Sequence, residues 1–212
     1  PLLRVVSGRE DIKLYMTSSE TDIKGYKIYR QTNANPFQVI NELCQDTTYL
    51  DVSATGGNKY LYKVTAIDTL NVEGYPSGEK EGVVFSFDQG MILVNMTQGS
   101  WLYGDGVDVT MISTFYQRAL SEYDYTLLNH DIGSLALFEL STHPIAIVYS
   151  EEIRVDHSLD SAVTYQTLKQ YLEAGGKLLI EGRRNLSGTL PVDGFRHFDA
   201  GDFRHDNLNI DS

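Results

Sequence analysis

The hydrophobic pattern of this chain changes its period near residue 86, and this change constrains the fold more than any other feature. Before it, apolar residues recur at every second position in short runs, which is the period of a half-buried β-strand. After it, compact apolar runs alternate with segments whose apolar residues recur every third or fourth position, as in an α-helix. We therefore predict two domains, covering residues 1–86 and 87–212.

Short strands separated by turn residues are predicted throughout residues 1–86. Ile12–Met16 and Gly25–Arg30 both alternate with period 2, and we expect these two strands to pair. Three further strands are predicted at Phe37–Ile40, Tyr49–Val52 and Tyr60–Ile67. Because no helical period occurs in this half, the pattern indicates an all-β, immunoglobulin-like antiparallel sandwich.

Five successive segments of this half carry a family resemblance. They are Ile12-x-Leu14-x-Met16, Asp22-x-x-Gly25-Tyr26-x-Ile28-Tyr29-Arg30, Thr48-Tyr49-x-Asp51, Tyr60-x-Tyr62-x-Val64-x-Ala66-x-Asp68 and Tyr75-Pro76-Ser77. Together they resemble the B, C, E, F and G strands of fibronectin type III domains. The resemblance implies that Tyr60 takes the tyrosine-corner position, where a buried phenol hydrogen-bonds to the backbone. Met16 stands where the family usually has a core tryptophan, so the core must repack around a thioether.

The tyrosines and the single cysteine of this half are interpreted as core residues. The chain has 14 tyrosines, which could form a stacking surface for a sugar. However, Tyr60 and Tyr62 alternate with polar neighbours, so the strand period places them inside. Cys44 has no second cysteine with which to form an internal disulfide, and we expect it to be buried as a small apolar residue.

Strands and helices alternate in residues 87–212. The predicted strands are Gly90–Asn95, Tyr125–Asn129, Pro144–Ser150 and Lys177–Glu181. Ser113 or Thr114 can cap a first helix that continues to Glu122, in which Phe115, Ala119 and Leu120 fall at helical spacing. This alternation predicts an α/β, three-layer, flavodoxin-like domain with strand order 2-1-3-4.

The second predicted helix begins at Asp160 or Ser161. Its inward stripe is expected to consist of Tyr165, Leu168 and Leu172. Gly175 is predicted to end this helix, because the position after the last turn favours a left-handed backbone.

A second family resemblance covers about residues 89–187 and is carried by the run Thr167–Gly182. Its order of helix, Gly175-Gly176 and apolar strand resembles that of class I glutamine amidotransferase-like domains, which can follow a fibronectin type III module in large secreted bacterial proteins. Catalytic members place a cysteine in a Gly-x-Cys-x-Gly elbow at the strand end. Here Arg183 follows Gly182, so the resemblance implies a domain without the amidotransferase nucleophile.

The predicted fourth strand is too apolar for an exposed sheet edge. Leu178, Leu179 and Ile180 would form a template for pairing if nothing covered them. The remaining candidates to cover this strand are Gly194–Phe198 and Asn207–Ile210. Otherwise, we expect the second domain to be truncated at its C-terminus or completed by a neighbouring chain.

Candidate catalytic and ligand-binding residues cluster at the predicted carboxyl ends of the strands, where α/β sheets place their sites. Ser150 could act as a hydrolase nucleophile if His130, His143 or His157 came close to it, although no Gly-x-Ser-x-Gly motif surrounds it. Trp101, Tyr103 and Arg183 are the candidate ligand-binding residues at the same edge.

Four C-terminal residues form a candidate metal site, namely His197, Asp199, Asp202 and His205. Imidazole and carboxylate ligands suit zinc or another divalent ion. An acidic tail rich in Gly and Asp is also typical of a solvated surface, and neither an HExxH helix nor an EF-hand loop is present. We expect no cofactor.

Charge excludes one class of partner. The net charge is −12, and residues 87–212 hold 18 of the 29 acidic residues against 8 basic ones. This surface repels phosphate backbones, so nucleic acid is not an expected partner, and no apolar run is long enough for a membrane span.

The sequence favours a non-catalytic accessory, binding or spacer region of a larger secreted or cell-surface bacterial protein. Its expected partners are other domains of that protein and a protein or carbohydrate ligand; the alternative is an extracellular hydrolase.

Overall fold

Residues 1–86 fold into a β-sandwich. The computed structural model describes residues 1–96, 109–129, 135–149 and 162–181, and the chain divides into two compact units, Pro1–Ser86 and Phe87–Ser212. The strands of the first unit are β1 (Leu2–Ser7), β2 (Ile12–Thr17), β3 (Ile23–Thr32), β4 (Gln38–Cys44), β5 (Thr48–Asp51), β6 (Tyr60–Asp68), β7 (Glu73–Pro76) and β8 (Lys80–Gly82).

Two antiparallel sheets make up the sandwich. One has the order β1-β2-β5 and the other β4-β3-β6-β7, with β8 also pairing with β6. This is the A-B-E and C′-C-F-G arrangement of a fibronectin type III domain, with its last strand interrupted around Ser77. Ser77 maintains the contact with β6, because its backbone N–H donates to Val64 O and its Oγ accepts from Val64 N–H. The first unit is therefore fibronectin type III-like.

The expected pairing of Ile12–Met16 with Gly25–Arg30 is wrong. β2 pairs with β1 and β5, whereas β3 pairs with β4 and β6 in the other sheet. The alternating faces of the two strands meet across the core instead, where Leu14 and Ile28 are both completely buried. Met16 is also completely buried, so the thioether occupies the core as the resemblance implied.

The second unit contains a four-stranded parallel sheet with helices in its connections, which is an α/β arrangement. Its described elements are β9 (Met91–Asn95), α1 (Val109–Ala119), β10 (Tyr125–Asn129), α2 (Leu137–Leu140), β11 (Ile145–Tyr149), α3 (Ala162–Glu173) and β12 (Lys177–Glu181). The strand order β10-β9-β11-β12 is the predicted 2-1-3-4 order. Within the described ranges, no helix has the length and apolar character needed to span a membrane.

The predicted start of α1 is wrong. The helix begins at Val109 rather than at Ser113 or Thr114, and it buries Tyr116, with Leu120 packed partly behind it. Phe115, one of the three residues predicted at helical spacing, is 62% exposed. Two apolar stripes one residue apart lie on this helix, and the inward one is fixed by Tyr116, whose ring stacks on that of Tyr149 in β11.

The predicted end of helix α3 is confirmed, but the residues that face inward differ in part from the predicted stripe. Leu168 is completely buried as expected, whereas Leu172 is only half-buried and its place is taken by Tyr171, which is completely buried. The side chain of Tyr165 lies outside the described part of the chain. Gly175 has a φ of 95°, so the helix ends in the left-handed conformation that glycine adopts readily.

Candidate functional site

One residue from each parallel strand forms a continuous row along the carboxyl edge of the sheet. Asn129 aligns with Asn95, Asn95 aligns with Tyr149, and Tyr149 aligns with Glu181. Paired residues in parallel strands direct their side chains to the same face, and Tyr149 shares this face with the buried Leu93. The row therefore places two amides, a phenol and a carboxylate side by side.

The centre of this row is the topological switch point of the sheet. β9 lies between β10 and β11, so the chain leaves β9 toward one neighbour and later returns to the other side. In open α/β sheets, ligands bind in the crevice outside the carboxyl ends of the strands at such a switch point. Asn95 and Tyr149 are the strand-end residues on either side of this switch point.

The two asparagines of the row are coupled. Asn95 Nδ2 donates to Asn129 Oδ1 over 3.0 Å, with Asn95 half-buried and Asn129 exposed. A primary amide carries both donors and an acceptor, so this pair can orient a neutral polar group. Beyond the row, Met96 N–H donates to Tyr149 O over 2.9 Å, which extends the β9–β11 ladder by one residue.

Tyr149 is the unusual member of the row. Its ring stacks on Tyr116 with centroids 4.1 Å apart and an angle of 25°, and the side chain is almost completely buried. Its hydroxyl has no hydrogen-bond partner among the described residues. Burial, with a smaller contribution from nearby Tyr125, raises the pKa of Tyr149 to about 12, so the phenol stays protonated at neutral pH.

Replacing Tyr149 by phenylalanine is expected to stabilise the α/β unit. A buried polar group without a partner costs about 1–3 kcal/mol, and phenylalanine removes that group while retaining the stacked ring. Urea unfolding should give a gain of about 1 kcal/mol for Tyr149→Phe. Tyr171→Phe is the matched control and should be destabilised, because the Tyr171 hydroxyl donates to His143 O over 2.9 Å. A comparable loss in both variants would contradict the prediction.

His143 does not lie at the carboxyl edge. It precedes β11 and is buried at the amino ends of the strands. There, its Nε2 lies 3.1 Å from Thr126 Oγ1 and its Nδ1 lies 3.1 Å from Thr142 Oγ1. Burial lowers the pKa of His143 despite opposing contributions from the Glu139 backbone and Asp88. Its two ring nitrogens join the start of β10 to the loop before β11, so the role of His143 is structural.

The other sequence-derived site residues fall outside the described residues. They are the candidate nucleophile Ser150, its alternative partners His130 and His157, the ligand-binding candidates Trp101, Tyr103 and Arg183, and the metal candidates His197, Asp199, Asp202 and His205. In the described ranges, no three His, Cys, Asp or Glu side chains lie close enough together to hold a metal ion. The strand-end row was not identified from sequence, although its members end the predicted strands or immediately precede the predicted end.

Cys44 is part of the sandwich rather than of a reactive site. It is buried, and its thiol donates weakly to Asp46 O at 3.5 Å and Thr48 O at 3.7 Å. Burial is the largest cause of the raised pKa of this thiol. The predicted burial of Cys44 is confirmed, and the thiol remains in its unreactive protonated form.

The polar residues inside the sandwich form a structural network. Asp51, which is 1% exposed, accepts hydrogen bonds from Arg30 at 2.7 Å and from Tyr62 at 2.8 Å. Burial favours a higher pKa for Asp51, but hydrogen bonds from Ser53, Arg30 and Tyr62 outweigh this effect and lower it. Tyr62 has a raised pKa because of burial and the adjacent carboxylate. These groups satisfy one another within the core.

The predicted tyrosine corner is confirmed. Tyr60 is buried, and its hydroxyl accepts from Thr55 N–H over 2.9 Å. The Arg30 guanidinium lies 5.2 Å from the centre of the Tyr60 ring. Tyr60 and Tyr62 are thus buried and hydrogen-bonded inside the sandwich, where the strand period predicted them.

Comparisons with known proteins give partial likenesses. No family model matches the chain, and no curated protein matches it. A solved Fn3-like protein from Clostridium thermocellum is 24% identical, with 39% of this chain and 86% of that chain covered and a TM-score of 0.34. A beta-1,2-glucanase from Parabacteroides distasonis is 28% identical, with 40% of this chain and 12% of that chain covered and a TM-score of 0.36.

A third likeness extends further along the chain. Pectate lyase PelI from Erwinia chrysanthemi is 14% identical, with 74% of this chain and 52% of that chain covered and a TM-score of 0.34. With TM-scores this low, these likenesses carry no argument about function. The assignment of the first unit depends on its strand pairing.

Proposed function

We propose that this chain is a non-catalytic accessory region of a larger secreted or cell-surface bacterial protein, in which the α/β unit binds a small polar ligand. The observation that carries the proposal is the in-register row of Asn129, Asn95, Tyr149 and Glu181 across the switch point. The interiors of the same strands are apolar, so the change to polar residues occurs where a ligand would meet the sheet.

The proposed finer fold of the second unit is flavodoxin-like. Its support is the 2-1-3-4 strand order, which is also the order of the first four strands in flavodoxin-like sheets. The run Thr167–Gly182 adds the resemblance to glutamine amidotransferase-like domains, with Arg183 in the nucleophile position. In this proposal the crevice is retained for binding while the thiol chemistry has been lost.

Binding is favoured over catalysis by the chemistry of the row. The amides of Asn95 and Asn129 orient a ligand through hydrogen bonds but do not transfer protons at neutral pH. Tyr149 likewise retains its proton at neutral pH, because its pKa is raised. A hydrolase at this edge requires a nucleophile within reach of a base, and His143 is held at the other edge by two threonines.

The sandwich is proposed to act as a spacer that connects the α/β unit to other domains of the parent protein. Its internal polar network, centred on Asp51, is engaged in holding the two sheets together. The acidic charge of the chain supports a protein or carbohydrate ligand in preference to nucleic acid.

Ligand-detected NMR tests this proposal. Neutral monosaccharides, amino acids and inorganic phosphate would be screened against the wild-type chain by saturation transfer, and we expect at least one compound to give a signal. That signal should disappear in an Asn95→Leu, Asn129→Leu variant, because the coupled amides are lost. Gln117→Leu, on the exposed surface of α1, is the matched control and should leave it unchanged.

Two outcomes would contradict the proposal. A signal that persists in the double asparagine variant would place binding elsewhere. Turnover of an ester or amide substrate that disappears in Ser150→Ala would instead favour the hydrolase alternative.

A further inference from the structure

The outer face of the β1-β2-β5 sheet is basic in an otherwise acidic chain. Strand alternation directs Leu2, Arg4, Val6, Lys13, Tyr15 and Leu50 outward, and we call this surface the basic sheet face. The only acidic residue in the three strands is Asp51, which points into the core. The basic sheet face therefore carries two positive charges and no carboxylate.

Both cations stand over the same aromatic ring. The Arg4 guanidinium lies 4.1 Å from the centre of the Tyr15 ring, and the Lys13 ammonium lies 5.0 Å from it. Neither group forms an ion pair with a carboxylate of the described residues, whose ion pairs involve Lys27, Arg30 and Lys59. The two charges are held close together, and neither has an ion-pair partner in the part of the chain that the structure describes.

The outer face of the opposite sheet differs in this respect. There, Lys27 pairs with Glu42 at 3.0 Å and approaches Glu73 at 3.7 Å, and Tyr29 also donates to Glu73. Positive and negative groups are thus balanced within that face. On the basic sheet face, no such pairing of opposite charges occurs among the described residues.

Apolar side chains flank the two cations. Lys13 lies between Leu50 and Val6 in register, and these two side chains are 46% and 37% exposed. Leu2, at the end of β1, is 75% exposed. Apolar positions beside uncompensated charge are complementary to a polypeptide that presents both carboxylates and aliphatic side chains. An anionic polysaccharide offers charge but no aliphatic groups to cover Leu50 and Val6.

We infer that the basic sheet face docks an acidic polypeptide segment. Its carboxylates pair with Arg4 and Lys13, and its apolar side chains cover Leu50 and Val6. This inference goes beyond the proposed ligand site, because it concerns the sandwich and a macromolecular partner.

Fluorescence anisotropy with a labelled decapeptide of alternating Glu and Val tests the inference. The wild-type chain should bind this peptide at low salt, and Arg4→Gln, Lys13→Gln should weaken binding about tenfold through loss of two exposed ion pairs. The matched control is Lys24→Gln, Lys80→Gln, which makes the same change in net charge at exposed positions elsewhere on the sandwich and should change binding less than twofold. A decapeptide of alternating Lys and Val tests the sign of the charge: any binding of it comes from the acidic remainder of the chain and should not weaken in Arg4→Gln, Lys13→Gln.

A charge swap gives an independent test of the same contact. Arg4→Glu, Lys13→Glu should lose the Glu-Val peptide and bind the Lys-Val peptide more tightly than the wild type does, with the folded state of the variant verified by its NMR amide signals. Equal weakening in both Gln variants, or no binding of the Glu-Val peptide to the wild type, would overturn the inference. Tighter binding of heparin through the same two cations would show that the partner is a polysaccharide. Dimerisation of the chain that is lost in the Arg4, Lys13 variant would show that the occupant is a second copy.

Discussion

Replacing Asp51 by alanine is expected to lower the free energy of unfolding of the sandwich by about 3–5 kcal/mol, the usual cost of removing one partner from a buried ion pair. The carboxylate accepts from Arg30 at 2.7 Å, from Tyr62 at 2.8 Å and from Ser53 Oγ at 2.6 Å. Its loss leaves the partly buried Arg30 guanidinium without its ion-pair partner and the buried Tyr62 hydroxyl without its acceptor.

Urea unfolding followed through the NMR amide signals of β3 and β6 measures this loss in the sandwich itself. Asp46→Ala is the matched control, because Asp46 is exposed in the turn between β4 and β5 and should change stability by less than about 0.5 kcal/mol. Tyr62→Phe removes one hydrogen bond and leaves the ion pair intact, so it should cost about 1 kcal/mol. Similar values for Asp51→Ala and Asp46→Ala would contradict the structural role of the network.

The pH dependence of the same difference identifies the charge as the cause. The pKa of Asp51 is lowered in the folded state, so its contribution is present above the unfolded pKa of about 4 and is lost as the pH falls through the folded pKa. The stability difference between the wild type and Asp51→Asn should therefore be constant near neutrality and shrink at acidic pH. A difference that grows on acidification would reverse the sign of the assigned shift.

Replacing Gly176 by alanine is expected to destabilise the α/β unit by about 3 kcal/mol, at the upper end of the usual cost of overpacking. A Cβ at this position would lie 2.3 Å from Tyr171 Cζ, and two other atoms of the ring would be 2.5 Å away. The ring cannot retreat easily, because it is completely buried, its hydroxyl donates to His143 O, and Phe87 packs against it edge-on at 5.7 Å.

The neighbouring glycine supplies the control. Gly175 is exposed and has a φ of 95°, so Gly175→Asn places a residue that tolerates the left-handed region and should cost less than about 1 kcal/mol. In contrast, Gly176→Asn should be at least as harmful as Gly176→Ala. A double-mutant cycle with Tyr171→Leu should recover part of the Gly176→Ala loss in urea unfolding. Strict additivity of the two losses in stability would show that the Tyr171 ring does not cause the destabilisation by Gly176→Ala.

Local sequence patterns predicted the elements where boundaries are marked by strong signals. Tyr125–Asn129 and Lys177–Glu181 have the predicted bounds, the latter because Gly175-Gly176 separates strand from helix. Sequence patterns failed where two local arrangements were equally compatible with the pattern and a contact with a distant part of the chain decided between them. On α1, the stripes of Phe115 and Tyr116 are equally compatible with a helix, and the choice is made by Tyr149, which comes later in the chain.

The strand-end row shows why site prediction from sequence was incomplete. Ser150 is a candidate because it ends a predicted strand, and Arg183 because it takes the nucleophile position of the amidotransferase resemblance, whereas Asn95 and Asn129 have no motif of their own. Their proximity results from the parallel register of β9 and β10, which a single sequence does not contain. The useful signal was the polar residue at or next to the predicted end of each strand.

The central position of β9 has a consequence for synthesis on the ribosome. Its buried residues Ile92, Leu93 and Val94 need β10 on one side and β11 on the other, and both follow β9 in the chain. A nascent chain that has released β9 but not β11 therefore exposes an apolar strand with an open edge, the kind of intermediate that aggregates or recruits chaperones. We expect slow translation between Asn95 and Ile145 to prolong this exposure and to lower the yield of folded α/β unit.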